Sequence, residues 1–599
     1  MTESGGSTHL TRRQFGWSVA GLTSAALGLS ATDAGRWLRA KSEWQNGNSN
    51  PLALLATLVP TGFSDAPSGP IEFEEIAQRA GVNFVLNASP TAQKHQPETM
   101  AGGIALLDYN GDGLVDIFVV NGAKMPSLQK DGPRYYNRLF RNDGNLKFTD
   151  VTAQAHVEGT GYGIGVAVGD YDNDGRPDIF VANVNGNQLL HNNGDGTFTD
   201  VTEKAGVSGV MHNGSKMWAV SAAWLDYNND GLLDLFVSNY CEWDPLTEHA
   251  CKLNGERAYC DPIYYKPLPN TLYRNNGDGT FTDVSQETGI SGHLGRNMGV
   301  AVADYDGDGW PDIFVAGDKT PNLLFHNLKG KRFEEVGFDK LVAYSEDGLA
   351  ISGMGVDFRD VNNDGQPDIW FTAMEEQTFP LYLCANSQFS NVSRSAGLAS
   401  ETMQMSGWSN GVADLDNDGW KDLFVARSNV LDNIADVSDR SYREANGVFR
   451  NLGNGRFENV SKFAGPDMQV ADAHRGAAFA DLDNDGKIDI VVSVLNGPLK
   501  IFHNITKNEN HWLILQLLGS KSNRMGIGAK VHLVLESGLE EYNHVTTSVG
   551  YACSSDSRIH FGLGRSRLVR LLEIAWPSGA KQVLRDVAAD QILQVREST

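Results

Sequence analysis

Long apolar runs are missing from this sequence. No stretch reaches the roughly 18 consecutive apolar residues that a membrane span needs, so no stable membrane span is expected. Positive charge is also in short supply: 49 Lys and Arg stand against 74 Asp and Glu, a formal net charge of −25. A phosphate backbone is therefore a poor partner, and no nucleic acid is expected. Cysteine is scarce, five in 599 residues, and the C-x9-C-x8-C run of Cys241, Cys251 and Cys260 is not a zinc spacing. A Ser-His-Asp order, a zincin motif and a nucleotide-binding loop are absent as well. No catalytic residue is assigned.

What is present begins at the N-terminus. In "TRRQF", Arg12 and Arg13 precede a mildly apolar stretch, Phe15 to Leu29, that ends in small residues around Ala31 and Ala34. This resembles a Tat signal over residues 1–34, with 35–70 as linker. It implies passage through the Tat export machinery to the periplasm, the cell surface or the medium. Export permits disulfides; Cys251–Cys260 is the favoured pair, and Cys241 is an alternative partner.

The body of the chain repeats. D-x-[DN]-x-D-G-x-x-D occurs seven times, at 108, 170, 226, 304, 360, 414 and 481, at spacings of 54 to 78 residues. Strand-like runs such as "IFVAN" follow at once. A second element, "FTDV" or a variant, recurs at 148, 198, 281, 333, 389 and 457, preceded by tight-turn chemistry. Its seventh copy, "FEEI" at 73, stands ahead of every loop. A closed ring explains that order, because the N-terminal strand then completes the last blade and no sheet edge stays open. Five residues before each loop stand Gly103, Gly165, Ser221, Gly299, Gly355, Ser409 and Gly476, small residues suited to inner strands crowding an axis. The expectation is an all-β chain: a seven-bladed β-propeller over 71–505, then a small β-rich domain over 506–599. Asp357 breaks the run of small residues three before each loop and is expected to face the channel.

Each loop offers hard oxygen ligands at positions 1, 3, 5 and 9, a carbonyl at 7, and Gly at 6 for the bend, as Ca²⁺ requires. The expected ligands are Asp108, Asn110, Asp112 and Asp116; Asp170, Asp172, Asp174 and Asp178; Asp226, Asn228, Asp230 and Asp234; and Asp304, Asp306, Asp308 and Asp312. The last three sets are Asp360, Asn362, Asp364 and Asp368; Asp414, Asp416, Asp418 and Asp422; and Asp481, Asp483, Asp485 and Asp489. No Glu falls at position 12 and position 9 runs into a strand, so these are not EF-hands. The loops hold 25 carboxylates, and about seven structural calcium ions would reduce the net charge from −25 to −11. Mg²⁺, which demands tighter octahedral geometry, fits less well.

These repeats resemble FG-GAP/VCBS repeats, the unit of integrin α-subunit propellers. "NHWLILQLLGSKSNRMGIGAKVHLVL" (510–535), "RIHFGLG" (558–564) and "IAWPSGAKQ" (574–582) look like the ASPIC/UnbV domain. Together the two parts resemble a bacterial family related to cartilage acidic protein 1. The resemblance implies an extracellular binding protein whose calcium loops are scaffold, on the face away from the ligand. A ligand site is sought instead in the loops feeding the inner strands, where His212, Trp218, Arg296, Trp408, His474 and Arg475 are the candidates for one channel mouth. The insertion 241–270 is read either as a lid on that mouth or as a stiffened blade connection. Two functions compete: a binding or adhesion scaffold for a glycan, peptide or protein, and an enzyme working at the channel mouth.

Overall fold

The computed structural model describes residues 70–209, 211–212 and 214–598. The expected export signal with Arg12 and Arg13, and residues 35–69 of the linker, lie outside the described residues. Each aspartate loop joins two antiparallel strands, and its position-9 Asp opens the second of them, as in the pairings Gly169↔Asp178 and Ala480↔Asp489. Two further strands complete a four-stranded antiparallel sheet, the "FTDV" element lying outermost. The inner strands are Ile104–Leu107, Tyr162–Gly169, Ala219–Leu225, Asn297–Ala303, Val356–Arg359, Gly407–Ala413 and His474–Ala480. Each packs on the next, and the last packs on the first. The chain is an all-β propeller. Phe73–Glu75 pairs with Lys500–Asn504, Phe73 opposite Asn504, so the N-terminal strand closes the last sheet.

The axis is not an open channel. Residues 511–596 form two further sheets, one with His511–Leu518 at its centre and one of four strands around Lys530–Leu535. Between them the segment Thr546–Ser555 enters the ring and touches every inner strand in turn. Ser554 pairs in parallel with Ala105, and Val166 N donates to Ala552 O at 3.1 Å. Ala552 N donates to Ser221 Oγ at 3.0 Å, and Ser548 Oγ donates to Val300 O at 2.6 Å. Gly550 N reaches Val356 O at 2.8 Å, Tyr551 N reaches Ser409 Oγ at 3.0 Å, and Phe479 N reaches Ser555 Oγ at 3.1 Å.

The small inner-strand residues are therefore needed for two reasons, the neighbouring strand and this segment. A Cβ on Gly165 would stand 2.1 Å from Val220 O and 3.0 Å from Ala552 Cβ; one on Gly476 would stand 2.7 Å from Cys553 Sγ. Asp357 faces no channel. It is 1% exposed, accepts the N–H groups of Phe358 and Val412 at 2.9 Å each, and pairs with Arg359 at 3.2 Å.

Candidate functional site

The aspartate loops are built alike, and their hydrogen bonds divide the work by position. The position-1 carboxylate folds the loop over itself: Asp170 accepts Asp174 N at 3.0 Å and Gly175 N at 2.8 Å. Gly at position 6 has a φ between +85° and +94° in all seven loops, where a side chain is strained. Position 4 is also left-handed in all seven, from Asn229 at +53° to Gly111 at +75°. It is Gly or Asn every time, the residues that take left-handed backbone most readily.

Position 9 is a clamp before it is anything else. Asp178 accepts Tyr171 N at 3.2 Å with one oxygen and Asn192 N at 2.8 Å with the other. The same pair of bonds recurs from Asp116 to Asp489. Third-strand asparagines then stitch the ring together. Asn192 Nδ2 donates to Tyr109 O of the preceding blade at 2.8 Å, and Asn142 does the same to Leu482 O at 2.8 Å across the closure. In the fifth blade Cys384 takes that place. The recurring "HN" or "RN" at the end of the third strand was the available clue.

Divalent cations fit these loops. Ligand oxygens of Asp170, Asp172 and Asp174, and those of Asp304, Asp306 and Asp308, lie within 4.8 Å of one another. The donors are hard oxygens. Burial, reinforced by the neighbouring carboxylates, pushes Asp170 and Asp481 up to about 7, Asp116 to about 8, and Asp414 and Asp422 well above the usual range. Side chains so reluctant to ionise together are what a bound cation relieves. In three blades a histidine joins the cluster: His191, His326 and His503 set Nδ1 within 3.0–3.1 Å of Asp178, Asp312 and Asp489.

The C-terminal domain sits on this loop face. Lys530 Nζ pairs with Asp304 Oδ2 at 2.5 Å, and Arg524 N donates to Asn173 Oδ1 at 2.8 Å. Two buried histidines belong to the same contact: His544 Nε2 faces Val302 O at 3.2 Å and His560 Nε2 faces Gly486 O at 3.1 Å. Burial pulls His544 down to about 3, with Arg359, Lys530 and Lys421 adding repulsion, and pulls His560 down to about 4. Both are neutral when folded, so their contribution is intact above pH 6.5 and is lost as pH falls toward 4. Replacing both with Gln is expected to flatten the fall in unfolding free energy between pH 6.5 and 4.5 by a few kcal/mol. Parallel urea melts at the two pH values check this; identical slopes in wild type and variant would refute it.

At the opposite mouth a cavity of about 610 Å³ lies between the inner-strand entries and the insertion. The insertion forms one wall of the cavity. Cys251 and Cys260 are joined, with Cα atoms 5.2 Å apart, while Cys241, Cys384 and Cys553 are buried thiols. Glu248 anchors the insertion to the segment before the first inner strand, 2.5 Å from His95 Nδ1 and 2.8 Å from Gln96 N. Tyr259 OH donates to Glu98 Oε2 at 3.1 Å.

Of the six candidate mouth residues, Trp408 alone is in the cavity wall, with Arg475 over its ring at 4.0 Å and Tyr551 edge-on at 5.1 Å. Arg475 is fully buried and donates to Thr99 O at 2.7 Å. His474, drawn down to about 4 by burial, lies 3.1 Å from Glu444 O. Arg296 donates to Tyr265 O and Lys319 O. Trp218 is buried against Tyr240 and Trp243, and His212 is on a two-strand hairpin, Met211–His212 with Ser215–Lys216. The cavity wall also holds Met100, Met298, Met354, Met374, Tyr240 and Asp318. Asp318 is 3% exposed; Tyr240 OH donates to its Oδ2 at 2.7 Å, and its Oδ1 has no hydrogen-bond partner in the protein.

A family model described as FG-GAP-like repeat matches residues 108–181, 170–237, 264–315, 304–371 and 414–492, more than half of the chain. A second, described as ASPIC and UnbV, matches 519–599. Cartilage acidic protein 1 of Mus musculus is 26% identical over 521 residues, covering 85% of this chain and 75% of the relative. The Homo sapiens protein of that name is 25% identical over 538 residues, covering 87% and 76%. A solved lectin from Agrocybe aegerita, described as recognising non-reducing terminal N-acetylglucosamine, is 16% identical with a TM-score of 0.36, over 66% of this chain and 87% of its own. Among the described residues no helix is long and apolar enough to cross a membrane.

Proposed function

Because this chain belongs to the FG-GAP-like repeat family, we propose that it works as an exported, calcium-stabilised binding scaffold for a glycan, peptide or protein ligand. The ring is a seven-bladed propeller over 71–505, followed by the ASPIC/UnbV domain over 506–599. Export proceeds through the Tat machinery, with Arg12 and Arg13 as its signal, to the periplasm, the cell surface or the medium. The calcium loops are structural: the C-terminal domain occupies their face, which leaves the opposite mouth for a ligand.

The observation that carries the ligand site is the cavity of about 610 Å³ walled by the disulfide-closed insertion. Binding pockets of this size are mostly apolar with a few convergent polar groups. Methionine and aromatic walls with one buried carboxylate, Asp318, match that description. The polar candidates that would favour an enzyme, His474, Arg475 and Arg296, hold backbone carbonyls instead. A glycan, peptide and metabolite thermal-shift screen on the calcium-loaded protein tests the assignment. Ligands are expected to raise the melting temperature of the wild type by several degrees and to lose most of that effect in D318N. Hits that stabilise both proteins equally would move the site away from this cavity.

A further inference from the structure

The seven loops are not equally covered. In the second, Asp172 and Asp174 reach the surface; in the sixth, Asp414, Asp416 and Asp422 are each 4% exposed or less. The cover is the C-terminal domain. Gly564 N donates to Asn417 O at 2.8 Å, and the side chains of Asn508 and Asn510 donate to Asp416 O at 2.6 and 2.8 Å. A Cβ on Gly562 would stand 2.1 Å from Asp414 Oδ2, so only glycine allows this approach.

From the same domain comes Glu541, 2% exposed. Its Oε1 lies 3.3 Å from where a Cβ on Gly419, at the sharp bend of the sixth loop, would be. That oxygen has no hydrogen-bond partner. Five carboxylates thus crowd one buried place, and two cations answer them. Arg450 pairs with Asp416 at 3.0 Å and Asp418 at 3.3 Å. Lys421 Nζ is turned to Asn363 Oδ1 at 3.3 Å. Two cations cannot pair with five carboxylates, and ionising the rest without a partner here would be costly. The loop also lacks the Glu that an EF-hand carries at position 12. Asp422 accepts the N–H groups of Leu415 and Asn451, the same clamp as in the other loops, and keeps lone pairs for a cation.

We infer that the sixth loop and Glu541 form one divalent-cation site shared between the ring and the C-terminal domain, with Glu541 as the ligand the loop lacks. The inference rests on the calcium reading of the loops. It makes this site unlike the other six: its cation joins two domains, and its affinity depends on the C-terminal domain being docked.

Terbium, which takes calcium's oxygen sites and emits when a nearby indole is excited, is the probe. Trp420 occupies position 7 of this loop, so the emission that W420F removes belongs to it. E541Q is expected to move the midpoint of that component at least tenfold higher in terbium, while E573Q, a carboxylate elsewhere in the domain, leaves it in place. An unchanged midpoint in E541Q overturns the shared site while the loop reading stands. Absence of indole-sensitised emission from the wild type sinks both. Should E541Q not fold, terbium-soaked wild-type crystals decide: an ion with a Glu541 oxygen within about 2.6 Å supports the site, and an ion bound by the loop alone overturns it.

Discussion

A chain ending at residue 505 is expected to yield no stable ring. It keeps all seven aspartate loops and the closing strand Phe73–Glu75, yet it loses the segment that fills the axis. Inner-strand donors such as Val166 N and Phe479 N have their partners in residues 552 and 555. Each lost bond costs about 1 kcal/mol net, and more where water cannot replace it. Tyr551, Ala552 and Cys553, each 4% exposed or less, would take their packing with them. The loss extends outward, because Trp224 and Tyr171 of the ring share a core with Leu517 and Ile527 of the C-terminal domain. Together these losses are of the order of the roughly 5–15 kcal/mol that holds a typical domain folded. A finer lesion should act the same way. Gly550 has φ +74°, and a Cβ there would stand 2.2 Å from Ser409 Oγ and 2.6 Å from Asn410 O, so G550V is expected to cost about 4 kcal/mol or more. Calorimetry of both chains decides: a truncated chain melting cooperatively within a few degrees of the full one would show the axial segment to be dispensable.

The parts of this architecture that could be read in the sequence are those that repeat. Seven aspartate loops and seven outer strands, one of them ahead of the rest at Phe73, implied a closed ring, and the pairing of Phe73 with Asn504 follows that order. The axial segment could not be read the same way. "TTSVGYACSS" has no repeat and no amphipathic period, and its partners lie as many as 451 residues away, as Met100 does from Tyr551. Of the mouth candidates only Trp408 lines the cavity, and the reason is local. Strand alternation decides which way a side chain points, and a bulge reverses it. Register shifts stand at His474/Ala477, Gly407/Asn410, Asn297/Val300 and Ala219/Ser221, at the end of each inner strand where those residues had been sought. Arg475 and His474 reach backbone carbonyls, and Asp318 and the methionines, which no motif marked, line the cavity beside Trp408.

Excess chelator should lower the melting temperature of the calcium-loaded protein by about 15 °C or more, and calcium should restore it. The physical basis is charge held in place by the fold. Twenty-five carboxylates are gathered in seven loops, and position 9 is held buried by two backbone hydrogen bonds whether or not a cation is bound, as at Asp178. The strands cannot spread to relieve the repulsion, because third-strand asparagines, with Cys384 in the fifth blade, tie each blade to the one before it. Two unit charges 4 Å apart repel by about 4 kcal/mol at the effective dielectric of a protein surface. A cation at a thousand times its dissociation constant contributes about 4 kcal/mol per site, so even three occupied loops approach the whole stability of an ordinary domain. Mg²⁺ at the same concentration should restore less, since it holds its water and needs stricter geometry. A melting curve unmoved by chelator would mean that the buried carboxylates keep their protons and that the loops hold the ring by hydrogen bonds alone.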